Sequence, residues 1–225
     1  MDIIEAIKTR KSIRKFKSDP VPKETIRTIL EIACRAPSAE NTQPWEFVVA
    51  SGELLDTMRQ KNVEKLRNFV APPEEMAHLM IERPKGSIFR TRQIEIAKKL
   101  FELMDIPRQD LQKRAEWLER GFRYFDAPVA IIIVADKTLP IQGTALDVGS
   151  VNQNICLAAL AYGLHTCIEN QGITYADVVR EVARIPDSKR LMAAIAIGYP
   201  DWEFPANQVQ SEREPIDNIV TWCEI

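Results

Sequence analysis

The residues Pro128-Val129-Ala130-Ile131-Ile132-Ile133-Val134 form an apolar run with no polar position to turn toward solvent. A strand with one wet face alternates in polarity. An unbroken β-branched run is instead buried on both faces and needs a layer of structure above and below it. The run is therefore expected at the centre of a sheet. With 225 residues, 45% of them apolar, and no low-complexity tract or internal repeat, the chain has the material for those layers. A single domain over 1–225 is expected.

The layers can be read from periodicity. Asp2 and Glu5 form a capping box, and Ile3, Ile4 and Ile7 stripe a short helix that delivers Arg10 at its end. Pro22 opens a second helix carrying Ile26, Ile29, Leu30 and Ala33 at helical spacing, and Pro37 stops it. Trp45 to Ala50 reads as a strand, followed by a charged helix from Gly52 to about Val70. Helical patterns over 88–104 and 108–125, broken at Pro107, make up much of an excursion over 71–126 that either lines a pocket or caps the core. From Ala145 to Tyr162 the apolar residues nearly encircle a helix, which marks it as core or interface, and Gly163 ends it. His165–Glu169 and Leu191–Ile197 read as strands, with a helix near 175–184 between them. Past Pro200 the chain turns polar, yet Trp202, Phe204, Ile216, Val220 and Trp222 need somewhere to dock. In a dimer, that place is the other subunit.

Charge and composition exclude several classes. Lys plus Arg number 30 against 32 Asp plus Glu, a net charge of -2, so no field steers the chain to nucleic acid or anionic lipid. Met1 to Glu5 lack the basic flank of a secretory signal, and no apolar run approaches the roughly 18 residues of a membrane span. A soluble, cytoplasmic protein is expected, with no membrane or nucleic-acid partner. Cys34, Cys156, Cys167 and Cys223 contain no C-x-x-C pair and are expected to be reduced, most of them buried. His78 and His165 are too few for a metal centre built on imidazole, so no metal is expected. No G-x-S-x-G turn supports a serine nucleophile.

Two short segments carry the chemistry. Arg10-Lys11-Ser12-Ile13-Arg14-Lys15-Phe16 sets basic groups and a hydroxyl just beyond a helix end, a combination suited to a phosphate monoester. By charge alone, a solvated basic turn would look the same. Ala36-Pro37-Ser38-Ala39-Glu40-Asn41-Thr42-Gln43-Pro44-Trp45 packs hydroxyl and amide groups between prolines that stiffen the loop. An ordinary helix-to-strand connector would share that composition.

Together, in this order and spacing, the two segments resemble the R-x-S-x-R-x-F and P-S-x-x-N-x-Q-P-W motifs of the nitroreductase family. Ala127-Pro128-Val129-Ala130 is similar to that family's A-P-V strand start, Asp147 to Gly163 to its long central helix, and Ser211-Glu212-Arg213-Glu214-Pro215 to its terminal R-x-P segment. Only about 70–105 is poorly covered, a region where family members differ and shape substrate choice.

The resemblance implies an α+β fold: a mixed, mainly antiparallel sheet flanked by helices. It implies an intertwined homodimer joined through the long helix and exchanged 200–225 tails, with two FMN sites at the interface. Arg10, Ser12 and Arg213 would hold the FMN phosphate, with Lys11 in the same basic segment. Arg14 would stand near N1 and O2 of the flavin, favouring the negative charge left there by hydride uptake. Pro37, Ser38, Asn41 and, less directly, Gln43 would reach the flavin bound by the other subunit. Cys167, Ile168, Glu169 and Asn170 would lay backbone against the ring. Cys167 stands where some members carry proline, and Ser211 where some carry lysine. For Cys167, a small buried residue is the expectation over a redox thiol.

The implied activity is a ping-pong cycle in which NADH or NADPH reduces FMN and a nitroaromatic, quinone or similar acceptor takes the electrons. It calls for no dedicated catalytic side chain, since the chemistry resides on the flavin and Arg14 tunes it. Two alternatives share the motifs. One is a specialised enzyme of the same fold, for dehalogenation or flavin breakdown; the other is a flavin-binding protein without turnover.

Overall fold

The computed structural model describes residues 2–80 and 82–223, with the side chains of His78 and Met80 outside the description. Strands β1 (Glu46–Ser51), β2 (Val129–Asp136), β3 (His165–Glu169) and β4 (Lys189–Gly198) form a sheet in the order β1-β2-β4-β3. All three ladders are antiparallel, and the parallel component is an isolated bridge from Ser12 to Thr166.

β2 lies inside the sheet as its composition requires, pairing Glu46 with Val134 on one side and Val129 with Ile197 on the other. Its side chains divide by pleat. Val129, Ile131 and Ile133 pack with Ile29 of α2 (Lys23–Ala33) and with Val151 and Ile155 of α6 (Ile141–Leu160). Ala130, Ile132 and Val134 face the other layer, with Leu55 and Met58 of α3 (Gly52–Arg67) and Val179 of α7 (Ala176–Ala183). Burying each isoleucine contributes about 1.5–3 kcal/mol. The result is a sheet between two helical layers.

Helix boundaries shift for local reasons. α6 begins at Ile141, because Pro140 leads into a turn in which the Thr144 hydroxyl donates to the Pro140 carbonyl at 2.8 Å. Gln142, Gly143 and Thr144 carry no apolar period that could announce that turn. α3 stops at Arg67, and Phe69 beyond it takes φ 52. Gly163, past the end of α6, adopts φ 68, a left-handed geometry that glycine accepts without strain.

The 71–126 excursion contains α4 (Ile88–Leu103) and α5 (Leu111–Phe122), with Pro107 between them. Leu100 of α4 packs with Ala206 and Val209 of the tail, alongside Phe204 and Trp117. The Lys99–Glu212 ion pair at 2.6 Å and the Arg92–Glu214 pair fasten α4 to the tail from outside. Where α5 gives way to β2, Tyr124, Phe125 and Asp126 have φ 55, 51 and 57. Such left-handed runs cost non-glycine residues energy and persist when neighbours hold them. Tyr124 Oη donates to the Gly172 carbonyl at 2.7 Å, and Arg123 pairs with Asp126 at 2.9 Å.

The four cysteines are free thiols. Two of them are fully buried, Cys156 and Cys167; Cys34 is half-buried and Cys223 exposed, fewer buried than expected because Cys223 sits on the polar tail. Among the described residues, no helix is long and apolar enough to cross a membrane, and no group of three or more His, Cys, Asp or Glu residues could hold a metal ion.

Candidate active site

The basic segment is built onto the edge of β3. α1 (Ile3–Thr9) ends with Arg10 at φ -54, ψ 125, and the extended chain then runs beside the strand. Ile13 N–H donates to the Thr166 carbonyl at 3.0 Å, while the buried Ile13 and Phe16 side chains anchor the segment in the core. This registration sorts the polar side chains. Burial dominates the Cys167 thiol, and the Arg14 charge and the Ser12 side chain act on it in the opposite sense. Arg10 acts on Cys156 of α6.

Lys11 is directed elsewhere. Its Nζ donates to the Asn207 carbonyl at 2.9 Å and sits 6.0 Å over the Trp202 ring. His165 on β3 meets the same ring edge-on at 4.9 Å, and burial holds the imidazole below its ordinary pKa. Lys11 and His165 therefore join the strand to the tail.

Asn207, which sequence reasoning passed over, ties the tail to the basic segment. Wholly buried, it accepts from Arg14 N–H at 2.7 Å and donates to the carbonyls of Lys15 at 2.8 Å and Asp201 at 2.7 Å. Its only sequence signal is an amide beside Pro205, where Asn commonly satisfies nearby backbone. Arg120 of α5 completes the frame, donating to the Arg14 carbonyl at 2.7 Å with its guanidinium 4.6 Å over Phe204.

The second motif is a strained loop. Glu40, Asn41 and Gln43 have φ 51, 58 and 45, and none is glycine. Gln43 N–H donates to Ser38 Oγ at 2.9 Å, and Ala39 N–H donates to the Asp147 carboxylate of α6 at 3.2 Å. Strain of this kind gathers where a loop must present side chains in a set direction. Here Pro37, Asn41 and Gln43 are exposed and Ser38 is half-buried.

At the end of β3 the alternation is clear: Cys167 and Glu169 are buried, while Ile168 is 40% exposed and Asn170 faces outward. Burial pushes the Cys167 thiol up to about 12, so it is an inert core group. Glu169 is pushed up to about 8 by burial, against the pull of the Gly172 and Gln171 backbone N–H groups.

Arg213 lies on the tail, donating to Ser211 Oγ at 2.9 Å in a groove it shares with Arg92, Glu95, Ile96 and Lys99. Arg10, Ser12 and Arg14 do not line that groove. The three arginines have one thing in common. Among the described residues, the Arg10 guanidinium makes no hydrogen bond or ion pair, the Arg14 guanidinium bonds only to the Ser12 carbonyl at 3.3 Å, and that of Arg213 only to Ser211 and Glu212 oxygens of its own turn. None of the three guanidinium groups has a carboxylate partner among the described residues, although Arg92 and Lys99, which share the Arg213 groove, do. Guanidinium groups left without acids are available to an anion, and Arg10 and Arg14 with Ser12 between them on one extended segment suit a phosphate ester.

Residues 7–199 match the Nitroreductase family. The chain belongs to the nitroreductase family. Nitrobenzene nitroreductase of Ectopseudomonas oleovorans is 32% identical to this nitroreductase-family chain over 222 residues, covering 98% of the chain and 96% of the relative. Among solved structures, the FMN and NADPH-dependent nitroreductase NfnB of Sphigopyxis sp. strain HMH superposes with a TM-score of 0.90 at 26% identity, covering 100% of both chains. The FMN-dependent NfnB of Mycobacterium smegmatis, in complex with NADPH, gives 0.88 at 26% identity, covering 98% of this chain and 97% of its own. In this nitroreductase-family protein the matched span contains every expected site residue except Arg213.

Proposed function

We propose that the chain is an NAD(P)H-dependent FMN oxidoreductase that passes electrons to nitroaromatic, quinone or similar acceptors by a ping-pong route. The single observation that carries this reading is the acid-free donor set of Arg10, Ser12 and Arg14 on the edge of β3, in a chain of this family. FMN, when bound, supplies two-electron hydride chemistry. The protein supplies position and charge.

Arg10, Ser12 and Arg213 would hold the phosphate, and Lys11 would support them by fixing the tail through Asn207. Arg14 would contribute a fixed positive charge, its backbone held on both sides by Asn207 and Arg120. The backbone of Cys167 to Asn170 would line the ring, with exposed Ile168 on the outer side of the strand. Protons can come from water at an open site, so no side-chain acid is assigned.

The working unit would be a homodimer. Ile3, Ile4 and Ile7 of α1 are 61%, 56% and 52% exposed, Leu146 of α6 is 76% exposed, and Trp222 on the tail is 66% exposed. Apolar side chains on that scale favour a partner surface, and the Pro37–Gln43 loop would then reach the partner's flavin. The test is a visible spectrum of protein loaded with FMN, recorded anaerobically. The flavin absorption should bleach with NADH or NADPH and return on adding a nitroaromatic or quinone. Protein that stays colourless in excess FMN would overturn the assignments of Arg10, Ser12 and Arg213.

A further inference from the structure

Glu169 closes β3 with its carboxyl turned into the core, and the function proposed above leaves that side chain unused. It is 7% exposed. Its Oε2 accepts from Gly172 N–H at 2.8 Å, while Oε1 has no hydrogen-bond partner among the described residues. What acts on the carboxyl is burial and the backbone N–H groups of Gly172 and Gln171, with no cation among the causes.

The surroundings are close and sealed. A Cβ at Gly172 would stand 2.3 Å from Tyr124 Cε1 and 2.7 Å from Glu169 Oε1, so the turn fits only because residue 172 has no side chain. Tyr124 Oη and Asn62 Nδ2 both donate to the Gly172 carbonyl, at 2.7 and 2.9 Å. The titratable groups beside the Glu169 carboxyl are Tyr124 before β2 and Cys167 on β3; Arg59 on α3 acts on Tyr124 and Arg14 on Cys167, and neither arginine acts on Glu169 itself. Arg59 is occupied by the carbonyls of Arg123 and Ala127. Tyr124 and Cys167 are both pushed up by burial and stay neutral. Glu169 is the group here whose charge can change near neutral pH.

A buried carboxylate with an open lone pair and no cation is costly, so the neutral acid is favoured. We propose that Glu169 is a redox-linked proton acceptor behind the flavin-lining strand: neutral in the reduced enzyme, and re-protonated on reduction wherever solvent has ionised it beforehand. The inference rests on the FMN reading given above. NAD(P)H delivers two electrons and one proton as a hydride and leaves oxidised. The additional proton comes from solvent and forms an O–H bond on the Glu169 carboxylate, and no protein bond breaks. The coupling is electrostatic, because negative charge gained on the other side of the strand raises the carboxyl's hold on its proton. Glu169 thus acts through charge, as a positioning residue that touches neither donor nor acceptor.

The test is the two-electron potential of the bound flavin from about pH 6 to 10, in wild type and Glu169→Gln, read by equilibration with a reference dye. Above pH 8, where burial places the Glu169 titration, the wild-type potential should fall more steeply. One extra proton per electron pair is a tenfold change in equilibrium per pH unit, about 30 mV. Glu169→Gln should show no added slope. Equal slopes in the two flavin-loaded proteins would overturn the proton link and leave the FMN reading standing, whereas failure to bind FMN would overturn both.

A second readout needs no flavin. Folded Glu169 holds its proton to about 8 against an ordinary 4.5, so the native state retains a proton that the unfolded chain has lost. Wild-type apoprotein should therefore lose stability as pH rises from about 4.5 to 8, relative to Glu169→Gln. A difference that stays constant over that range would also overturn the proposal.

Discussion

The Arg120 guanidinium donates to the Arg14 carbonyl at 2.7 Å, joining α5 to the basic segment across 106 positions of sequence. The same side chain stacks over Phe204 and lies 3.7 Å from Asp126. It therefore belongs at once to the helical excursion, the tail and the frame that holds Arg14.

Arg120→Ala should destabilise the fold by about 1.5–3 kcal/mol, the usual cost of a hydrogen bond to a charged donor, and loosen FMN. Equilibrium urea unfolding and FMN titration check this. Arg120→Lys should recover little, because an ammonium cannot reproduce the planar stack. A full recovery would mean that charge alone matters at this position.

Arg14→Ala should leave the fold intact, since the contacts made by the Arg14 backbone to Asn207 and Arg120 survive the change. It should lower the two-electron potential of bound flavin by about 30 mV or more, equivalent to ~1.4 kcal/mol, and slow reduction by NAD(P)H. Stopped-flow reduction at wild-type rate would remove Arg14 from its electrostatic role.

Asp147 holds the strained loop through Ala39 N–H. Losing that acceptor in Asp147→Ala should cost about 1–1.5 kcal/mol, roughly tenfold in FMN Kd, with a smaller effect on the unfolding midpoint. Asp147→Asn keeps an accepting oxygen and should retain most of the affinity. Equal Kd values for Asp147→Ala and wild type would show that the loop holds its shape without α6.

Thiol labelling should follow burial. Cys223 should react first with iodoacetamide, Cys34 more slowly, and Cys156 and Cys167 only when the protein unfolds. With Cys167 pushed up to about 12, its thiolate fraction at pH 8 is on the order of one in ten thousand. Rapid alkylation of Cys167, mapped by mass spectrometry, would give that residue the redox part denied to it here.

The sequence disclosed what repeats or stands in a short pattern. β2 was legible because both its faces are buried, and the basic and Ser38–Gln43 segments because their residues are contiguous. The groups that orient those segments were not. Asn207 meets Arg14 across 193 positions and Asp147 meets Ala39 across 108, and no local period encodes such pairings. Arg120 looks no different in sequence from Arg114 on the same helix or Arg123 just past its end. Glu169 was read for its backbone, because only the packing of Tyr124 and Gly172 reveals that its carboxyl is turned inward and left without a cation.

The position of β2 also bears on synthesis. Its Val129 pairs with Ile197 of β4, so a ribosome extending at about 5–20 residues per second leaves one edge of this isoleucine-rich strand unmet for roughly three to fifteen seconds. During that interval the nascent chain offers an adhesive ribbon to any neighbour. Recovery of active enzyme on strong expression should then be limited by chaperone capacity and growth temperature more than by the stability of the finished fold.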